Sequence, residues 1–351
     1  MEERNVLLDI LRGFSIILVV VGHCIQYGSG NVFLNDNLFY NNPIFIFIYS
    51  FHMPLFMIIS GFLFHNSLLR KTHKQNLVNK FKQLIIPLFC WSLISTIINM
   101  AKILIGVSDE TITLFWFLKK ILSNFIYGPW FLWAIWWCSL IVLFVNKFFK
   151  DNIVLYIFGI LFTLLIPDVF GLQLYKYMLP FFVISYLFNK HDLLIKLKNV
   201  YMNSLFIIFC FSFFTILLIF FNEKNYIYTS GHFIFNDAVG KQLYYNSFRF
   251  FIGLFGSLSV VYFFVAIIRF IPNKIKSIFS YLGKNTLGVY IISNYLVIEL
   301  LSIVTSNLCT INYLLLLVES VIIIIISLVI NIILKKIPIT NKILLGGREY
   351  K

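Results

Sequence analysis

Long runs of apolar residues, separated by short polar segments, follow one another along most of the chain. A helix needs about 20 apolar residues to cross the ~30 Å hydrocarbon core of a bilayer. Ten runs approach or reach that length and predict helices over 7–27, 43–66, 82–105, 130–146, 153–167, 173–189, 204–221, 249–271, 286–306 and 312–334. The segment 113–127 combines apolar residues with a lysine pair and predicts a helix at the membrane interface. The pattern therefore predicts an all-α, polytopic membrane protein.

The same pattern predicts one membrane domain over residues 1–351, without a soluble appendix. The first apolar run has spanning length and lacks a small-residue cleavage site, so no cleavable signal peptide is expected. Apolar residues make up 60% of the chain and charged residues 12%. A soluble domain carries roughly 25% charged residues. The composition thus excludes an ordinary soluble enzyme.

The positions of the basic residues predict the orientation of the helices. If the N-terminus is inside, the connections after the even-numbered helices and the C-terminal tail are cytoplasmic. These segments carry Arg70, Lys71, Lys74, Lys80 and Lys82; Lys147 and Lys150; Lys190, Lys196 and Lys198; Arg269, Lys274, Lys276 and Lys284; and Lys335, Lys336, Lys342, Arg348 and Lys351. Cytoplasmic loops carry an excess of Lys and Arg, so we expect both termini in the cytoplasm. The net charge of +14 then reflects topology, and nucleic acid is not expected as a partner.

Two ionisable residues interrupt the first apolar run, Arg12 and His23. They are eleven positions apart, which places them on one helix face, roughly 16 Å apart along the axis. Ionisable residues at membrane depth usually face a bundle interior or an aqueous cavity. One interpretation is a site that extends across the membrane. In the other, Arg12 extends to the headgroups and His23 is a packing residue.

The cysteines indicate no special chemistry. They are scattered at Cys24, Cys90, Cys138, Cys210 and Cys309, without the spacing of a disulfide framework or a metal site. Cys24 is next to His23, but neighbours on a helix point about 100° apart. We therefore predict neither a metal site nor a cysteine nucleophile.

The second apolar run contains a proline and a histidine in its outer half. Pro54 removes a backbone hydrogen bond and should kink the helix beside His52. The helix runs inward, so His52 should lie near the depth of His23. Further along, Ser60 and Gly61 are small residues of the kind that lets another helix approach closely. A packing role is favoured for these two over a catalytic one.

Two carboxylates fall at similar depth in the last two predicted helices, Glu299 and Glu319. A carboxylate beside an imidazole orients it and stabilises its protonated form, as in acyl transfer. Each is therefore a candidate catalytic residue with His23 and His52. The alternative is that each pairs with a basic residue elsewhere in the bundle.

Four stretches carry a family resemblance. They are Asp9–His23 (DILRGFSIILVVVGH), Phe51–Phe64 (FHMPLFMIISGFLF), Gly128–Leu132 (GPWFL) and Leu282–Ile292 (LGKNTLGVYII). In this order they resemble the motifs of the acyltransferase-3 family of integral membrane acyltransferases. The motif or packing residues that the resemblance implies are Asp9, Ser60, Gly61, Trp130, Asn285 and Tyr290.

Members of this family are similar in moving an acyl group, usually acetyl, from a cytoplasmic coenzyme A thioester to a hydroxyl of a glycan. The resemblance implies the same reaction here, with acetyl-CoA or succinyl-CoA as donor substrate and no permanently bound cofactor. It also implies a multi-pass protein of a bacterial plasma membrane, acting on a cell-surface or lipid-linked sugar. His23 would be the general base on the acceptor hydroxyl, or would itself carry the acyl group.

Basic residues on the cytoplasmic side are predicted to bind the phosphates of the donor. The candidates are Arg12, Arg70, Lys80 and Lys82. Family members typically have several arginines ahead of the proline that corresponds to Pro87, where this chain has one arginine and four lysines, Arg70, Lys71, Lys74, Lys80 and Lys82. Lysine keeps the charge but loses the planar fork. Members also often have a histidine at the position of Ser293, so no catalytic role is expected there.

A transporter or flippase for a glycan is the alternative class. Transporters often contain internal repeats with matching broken helices, and no counterpart of the two histidine-bearing helices occurs in the second half of the chain. The enzyme is therefore favoured. The loop 222–248 is the one long outer segment, and its Asn236, Asp237 and Asn246 would either bind a sugar or form a plain polar loop.

Overall fold

The computed structural model describes residues 6–27, 38–106, 110–191, 204–297 and 313–347. Its helices are α1 (Val6–Tyr27), α2 (Pro43–Arg70), α3 (His73–Lys80), α4 (Ile86–Leu104), α5 (Leu114–Tyr127), α6 (Trp130–Phe149), α7 (Ile153–Thr163), α8 (Leu172–Lys190), α9 (Ser204–Ile219), α10 (Ile227–Ser230), α11 (Val239–Ile267), α12 (Asn273–Lys284), α13 (Thr286–Leu296), α14 (Tyr313–Lys336) and α15 (Pro338–Leu344). Within these described ranges there is no β-strand, which confirms the all-α class.

In the part of the chain that the structure describes, six helical segments are long and apolar enough to cross a bilayer. They are α1, α2, the segment His73–Leu104 that joins α3 to α4, α6, α11 and α14. Helices α7 and α9 are apolar but shorter, and α13 ends at the edge of a described range. The chain is therefore a membrane protein by the length and composition of its helices. The count of ten spans and the cytoplasmic termini remain predictions.

Helix α1 lies at the centre of the bundle, in contact with α2, α12, α13 and α14. Two glycines allow α12 to approach it closely. A Cβ on Gly13 would collide with the carbonyl of Phe279, and a Cβ on Gly283 would collide with the carbonyl of Asp9. Backbones that approach this closely need small residues at the contact, as is common in membrane bundles.

Helix α2 is the second central element and packs against α1, α8 and α11. Pro54 lies inside it, as predicted. A Cβ on Gly61 would meet the carbonyl of Phe182 and the side chain of Ser185, both in α8. The position therefore has the close helix contact that the sequence analysis expected of Gly61.

Two predicted helix starts were wrong. The third helix was expected to begin at residue 82, but the helical segment starts at His73 behind a capping box of Thr72 and Gln75. A π-helical turn, Phe81–Ile85, connects its two parts. Helix α11 begins at Val239, ten residues before the predicted start. In both cases the first turns of the helix contain polar residues, so the hydropathy pattern predicted a loop there.

Two basic connections also turned out to be helical. The segment predicted as an inner loop around 272–285 forms α12, an amphipathic helix whose Leu282 and Gly283 are buried. The tail contains α15, which ends at Leu344, a buried residue whose carbonyl accepts a hydrogen bond from Trp91. Lysines interrupt the apolar residues of these segments, so the pattern along the sequence did not indicate that each has an apolar face. The predicted helix 113–127 is helical as α5, and its place at the membrane interface stays a prediction.

Candidate active site

We call the end of the bundle that carries Arg12 and Lys80 the inner end, and the opposite end the outer end. A cavity of about 490 Å³ opens at the inner end between α1, α2, α6 and α13. Its charged and polar lining includes Arg12, Lys80 and Gln83, and its deeper lining is apolar and aromatic. Small-molecule sites have volumes of roughly 300–1,000 Å³. The cavity is therefore large enough for a ligand with a charged head and a long uncharged arm.

One face of α1 connects the cavity to His23. Arg12, Ile16 and Val19 all line the cavity and recur every three or four residues. His23 is the next member of this stripe, one turn or about 6 Å beyond Val19. The common face of Arg12 and His23 expected from their spacing is thus present, and its inner part lines the cavity.

His52 lies on α2, directly before Met53, which also lines the cavity. The imidazole is buried, and its Nδ1 lies 2.7 Å from the carbonyl oxygen of Ile48. A carbonyl only accepts, so Nδ1 carries the proton and Nε2 keeps its lone pair. The two histidines lie close enough for the charge of one to act on the other. The Nδ1 of His23 is buried and has no hydrogen-bond partner within the described part of the chain.

Tyrosines border both histidines toward the outer end. The rings of His52 and Tyr49 have centroids 4.8 Å apart, and those of His23 and Tyr27 are 6.2 Å apart. The hydroxyl of Tyr49 donates to Gln26 at 3.3 Å, which links α2 to α1. The histidines therefore lie between the inner cavity and an aromatic outer layer.

Of the two candidate carboxylates, the structure describes Glu319 alone, because Glu299 falls outside the described residues. Glu319 is buried on α14 and lies near Cys24, the neighbour of His23. It makes no hydrogen bond to His23 or His52 in the structure as described. Its role as an orienting carboxylate remains a prediction.

Cys24 is buried against Ser320 of α14, as expected of a packing cysteine.

Comparison with known proteins gives the family. The model of an acyltransferase domain, acyltransferase-3, matches residues 5–336. The chain belongs to the acyltransferase-3 family. Nodulation protein NolL of Mesorhizobium japonicum is 34% identical over 134 residues, 36% of this chain and 35% of the relative. Nodulation protein NolL of Sinorhizobium fredii is 30% identical over 220 residues, 60% of this chain and 57% of the relative. The chain thus matches less than two thirds of either curated relative, and no solved structure matches it.

The acyltransferase-3 motifs converge on the cavity. Ser60 and Tyr290 line it, and so do Phe131 and Leu132, which follow Trp130 at the start of α6. Asn285 lies between α12 and α13 and accepts hydrogen bonds from Asn331 and Lys335 of α14. Asp9 is buried at the contact of α1 with α12. Motifs from four distant parts of the chain therefore meet at one site or support its walls.

The predicted donor-binding residues separate into two groups. Arg12 and Lys80 line the cavity, and the Nζ of Lys80 lies 5.1 Å from the ring centre of Phe64. Arg70 and Lys82 are exposed and do not line it. Within the described residues, no group of three His, Cys, Asp or Glu side chains could hold a metal ion.

A second polar cluster, which was not predicted from the sequence, lies at the outer end. It is formed by Asp168, Lys176, His232 and Arg249, with Gln173 and Gln242 beside them. Arg249 is the first residue of the predicted helix 249–271, but it lies buried in the interior of α11, which begins ten residues earlier. A lysine and a glutamine in otherwise apolar helix starts were the signals that could have revealed this cluster.

Proposed function

We propose that the protein transfers an acyl group, acetyl in the first instance, from an acyl-CoA at the inner end to a hydroxyl of a glycan or lipid-linked sugar at the outer end. Membership of the acyltransferase-3 family supports acyl transfer. The proposal for donor and acceptor rests mainly on one observation. The inner cavity carries Arg12 and Lys80 and extends to Val19 and Met53, next to the two histidines.

The division of the cavity suits a coenzyme A thioester. The phosphates of the donor would meet Arg12 and Lys80, since Arg and Lys bind phosphate oxygens by charge-assisted hydrogen bonds. The pantetheine arm is uncharged and would lie along the deeper lining, which is apolar and aromatic. The thioester would then reach the level of the histidines.

The chemistry requires a base beside the acceptor hydroxyl. In our proposal the hydroxyl oxygen attacks the thioester carbonyl carbon, and its proton passes to His23. The carbon–sulfur bond then breaks, and coenzyme A leaves as a thiol with that proton. A positioned imidazole contributes about 10²–10⁴ in rate to such a step. The Nε2 of His52 can also accept a proton. His52 would therefore assist His23 or serve as a second position for the proton of the hydroxyl.

Release of thiol from acetyl-CoA by the purified protein tests this function. We expect free coenzyme A to appear, and to appear faster with a sugar acceptor present. A protein that transports a glycan without acylating it would release none. Mass spectrometry of the surface glycan, with and without the gene, should show a matching loss of acetyl groups.

Two lysines two residues apart provide a matched test of donor binding. Lys80→Gln should raise the KM for acetyl-CoA about tenfold, the loss of one charge-assisted contact of ~1.4 kcal/mol. Lys82→Gln should leave that KM unchanged, because Lys82 is exposed and outside the cavity lining. Steady-state kinetics on both variants, with acetyl-CoA varied, measures the difference. Equal effects of the two substitutions would contradict the placement of the donor.

A further inference from the structure

A second polar pocket lies at the outer end of the bundle, between the start of α8, the α9–α11 connection and the start of α11. Its volume is about 300 Å³. The lining includes Gln173, Tyr228, Thr229, Asn236, Asp237 and Gln242. It shares no lining residue with the inner cavity. It is therefore a separate site.

Two glutamines that line this pocket each have a buried side-chain oxygen without a hydrogen-bond partner within the described residues. Gln242 is fully buried, and its Nε2 donates to the carbonyls of Ser230 and Gly231 at 3.3 and 3.2 Å. These two contacts fix the amide, so its Oε1 must be the other atom, and that oxygen is buried without a donor. The Oε1 of Gln173 is also buried without a donor. Buried acceptors are almost always paired, so two unpaired acceptors in one pocket indicate a ligand that supplies hydrogen-bond donors.

The frame of the pocket is rigid, because its charged groups are held by hydrogen bonds. Asp168 accepts from Lys176, from the backbone N–H groups of His232 and Phe233, and from Asn236. Burial acts against its charge, but these bonds outweigh burial and hold the pKa of Asp168 below its ordinary value. The carboxylate therefore stays ionised at neutral pH and is already occupied by donors of the protein.

The guanidinium of Arg249 also serves the frame. It donates to the carbonyls of Tyr226, Gly231 and Tyr245 and to the side chain of Asn246. Asn246 in turn donates to the carbonyl of His232. Arg249 thus holds the connection before α11 in place, and it is not among the residues that line the pocket.

The remaining charges favour a neutral ligand. Lys224 and Asp237 line the pocket with opposite signs, and Asp168 is paired with Lys176. Burial, with the charges of Arg249 and Lys176, lowers the pKa of His232 to about 3, so this imidazole is neutral. Of the charged residues that line the pocket, Lys224 is basic, whereas Asp168 and Asp237 are acidic, so the lining gives a phosphate or a uronic acid no excess of positive charge. Uncharged hydroxyl groups match the amide oxygens.

An aromatic path connects the pocket to the histidines. Tyr228 lines the pocket, and its ring lies 6.4 Å from that of Tyr49. The ring of Tyr49 lies 4.8 Å from that of His52. Tyrosine offers both an apolar ring face and a hydroxyl. Such a surface suits a sugar, which has C–H faces as well as hydroxyls.

We propose that this pocket binds the sugar of the acceptor, an uncharged glycan whose hydroxyls donate to Gln173 and Gln242. The hydroxyl to be acylated points past Tyr228 and Tyr49 toward His52. This inference rests on the proposed function and assigns its acceptor side to defined residues.

The test uses the purified full chain in detergent with acetyl-CoA as donor. Methyl glycosides of neutral hexoses, glucuronic acid and a hexose phosphate are offered as acceptors, and acetylated product is followed by mass spectrometry. Neutral sugars should be acetylated in preference to the charged ones. Gln242→Leu and Gln173→Leu should each raise the KM for the sugar about tenfold, with the KM for acetyl-CoA unchanged. Lys241→Gln, an exposed neighbour outside the pocket, is the matched control and should change neither.

The sugar is offered both free and on a polyprenyl carrier, since either could deliver it. Acetylation of either form that becomes weaker in Gln242→Leu supports the assignment of the acceptor to this pocket. A wild-type KM for the sugar in both glutamine variants, or a preference for the charged sugars, overturns it. Calorimetry of coenzyme A binding distinguishes a failure of the pocket assignment from a failure of the proposed function. If coenzyme A does not bind the wild type, the proposed function itself is wrong.

A second measurement does not depend on whether a variant with a substitution in the core folds correctly. Asp237→Cys places a thiol on the exposed rim of the pocket, where a bulky impermeant maleimide can be attached to the folded protein. Labelling should stop acetylation of the sugar and leave coenzyme A binding intact. Wild type treated with the same reagent controls for the native cysteines. Full acetylation after complete labelling would show that the acceptor enters elsewhere.

Discussion

Replacing His23 by alanine is expected to lower acyl transfer by about 10²–10⁴-fold, the contribution of a positioned general base. The expectation follows from the stripe on α1, in which Arg12, Ile16 and Val19 line the cavity and His23 comes next. Alanine would remove the proposed proton acceptor at the point where the thioester would meet the hydroxyl. Acetylated sugar, quantified by mass spectrometry under saturating acetyl-CoA, measures the loss.

The control for this variant is another histidine. His191 is exposed at the end of α8, so His191→Ala should keep full activity. Expression, membrane insertion and elution in detergent should be normal for both variants. If His23→Ala retained near-normal transfer, His23 would be a packing residue and the assignment of the base would be wrong.

Filling the inner cavity is expected to have the second large effect. Ser60 lies in the wall of the cavity, on α2 between the levels of Lys80 and His52. Ser60→Phe would place a ring in the route of the pantetheine arm. We expect kcat/KM for acetyl-CoA to fall at least about tenfold, a loss of ~1.4 kcal/mol in transition-state binding.

Ser60→Ala separates blockage from chemistry at the same position. It removes the hydroxyl but leaves the space open, and it should retain kcat/KM within about threefold, a change of ~0.7 kcal/mol. Steady-state kinetics with varied acetyl-CoA compares the two variants. Equal losses in both would indicate that the hydroxyl itself takes part in the reaction, against the packing role expected for it.

The helices that carry the site were predictable because their apolar runs are long. The predicted run 7–27 corresponds to α1, Val6–Tyr27, and the run 43–66 to most of α2. Helices with many lysines were missed, such as α12. Its apolar residues form a single face, and that face became evident only where Gly283 contacts Asp9 of α1. Hydropathy along the chain detects spanning helices better than amphipathic ones.

The choice between neighbouring basic residues needed the structure. Lys80 and Lys82 were equal candidates by sequence, but two positions on a helix differ by about 200° in direction. Only the fold shows which of them faces the cavity, and it is Lys80. The outer pocket also could not be predicted from the sequence. Gln173 and Gln242 are 69 positions apart along the chain and come together only through tertiary packing.

In our proposal the acyl group passes from a donor at the inner face to an acceptor on the outer side. Sealed membrane vesicles of known orientation, given radiolabelled acetyl-CoA from outside, test it most directly. Inverted vesicles, which expose the cytoplasmic face and, in our proposal, Lys80, should transfer label to the enclosed glycan, and His23→Ala vesicles should not. Right-side-out vesicles should transfer none until they are permeabilised. Transfer by intact right-side-out vesicles, at a rate equal to that of inverted ones, would contradict this account.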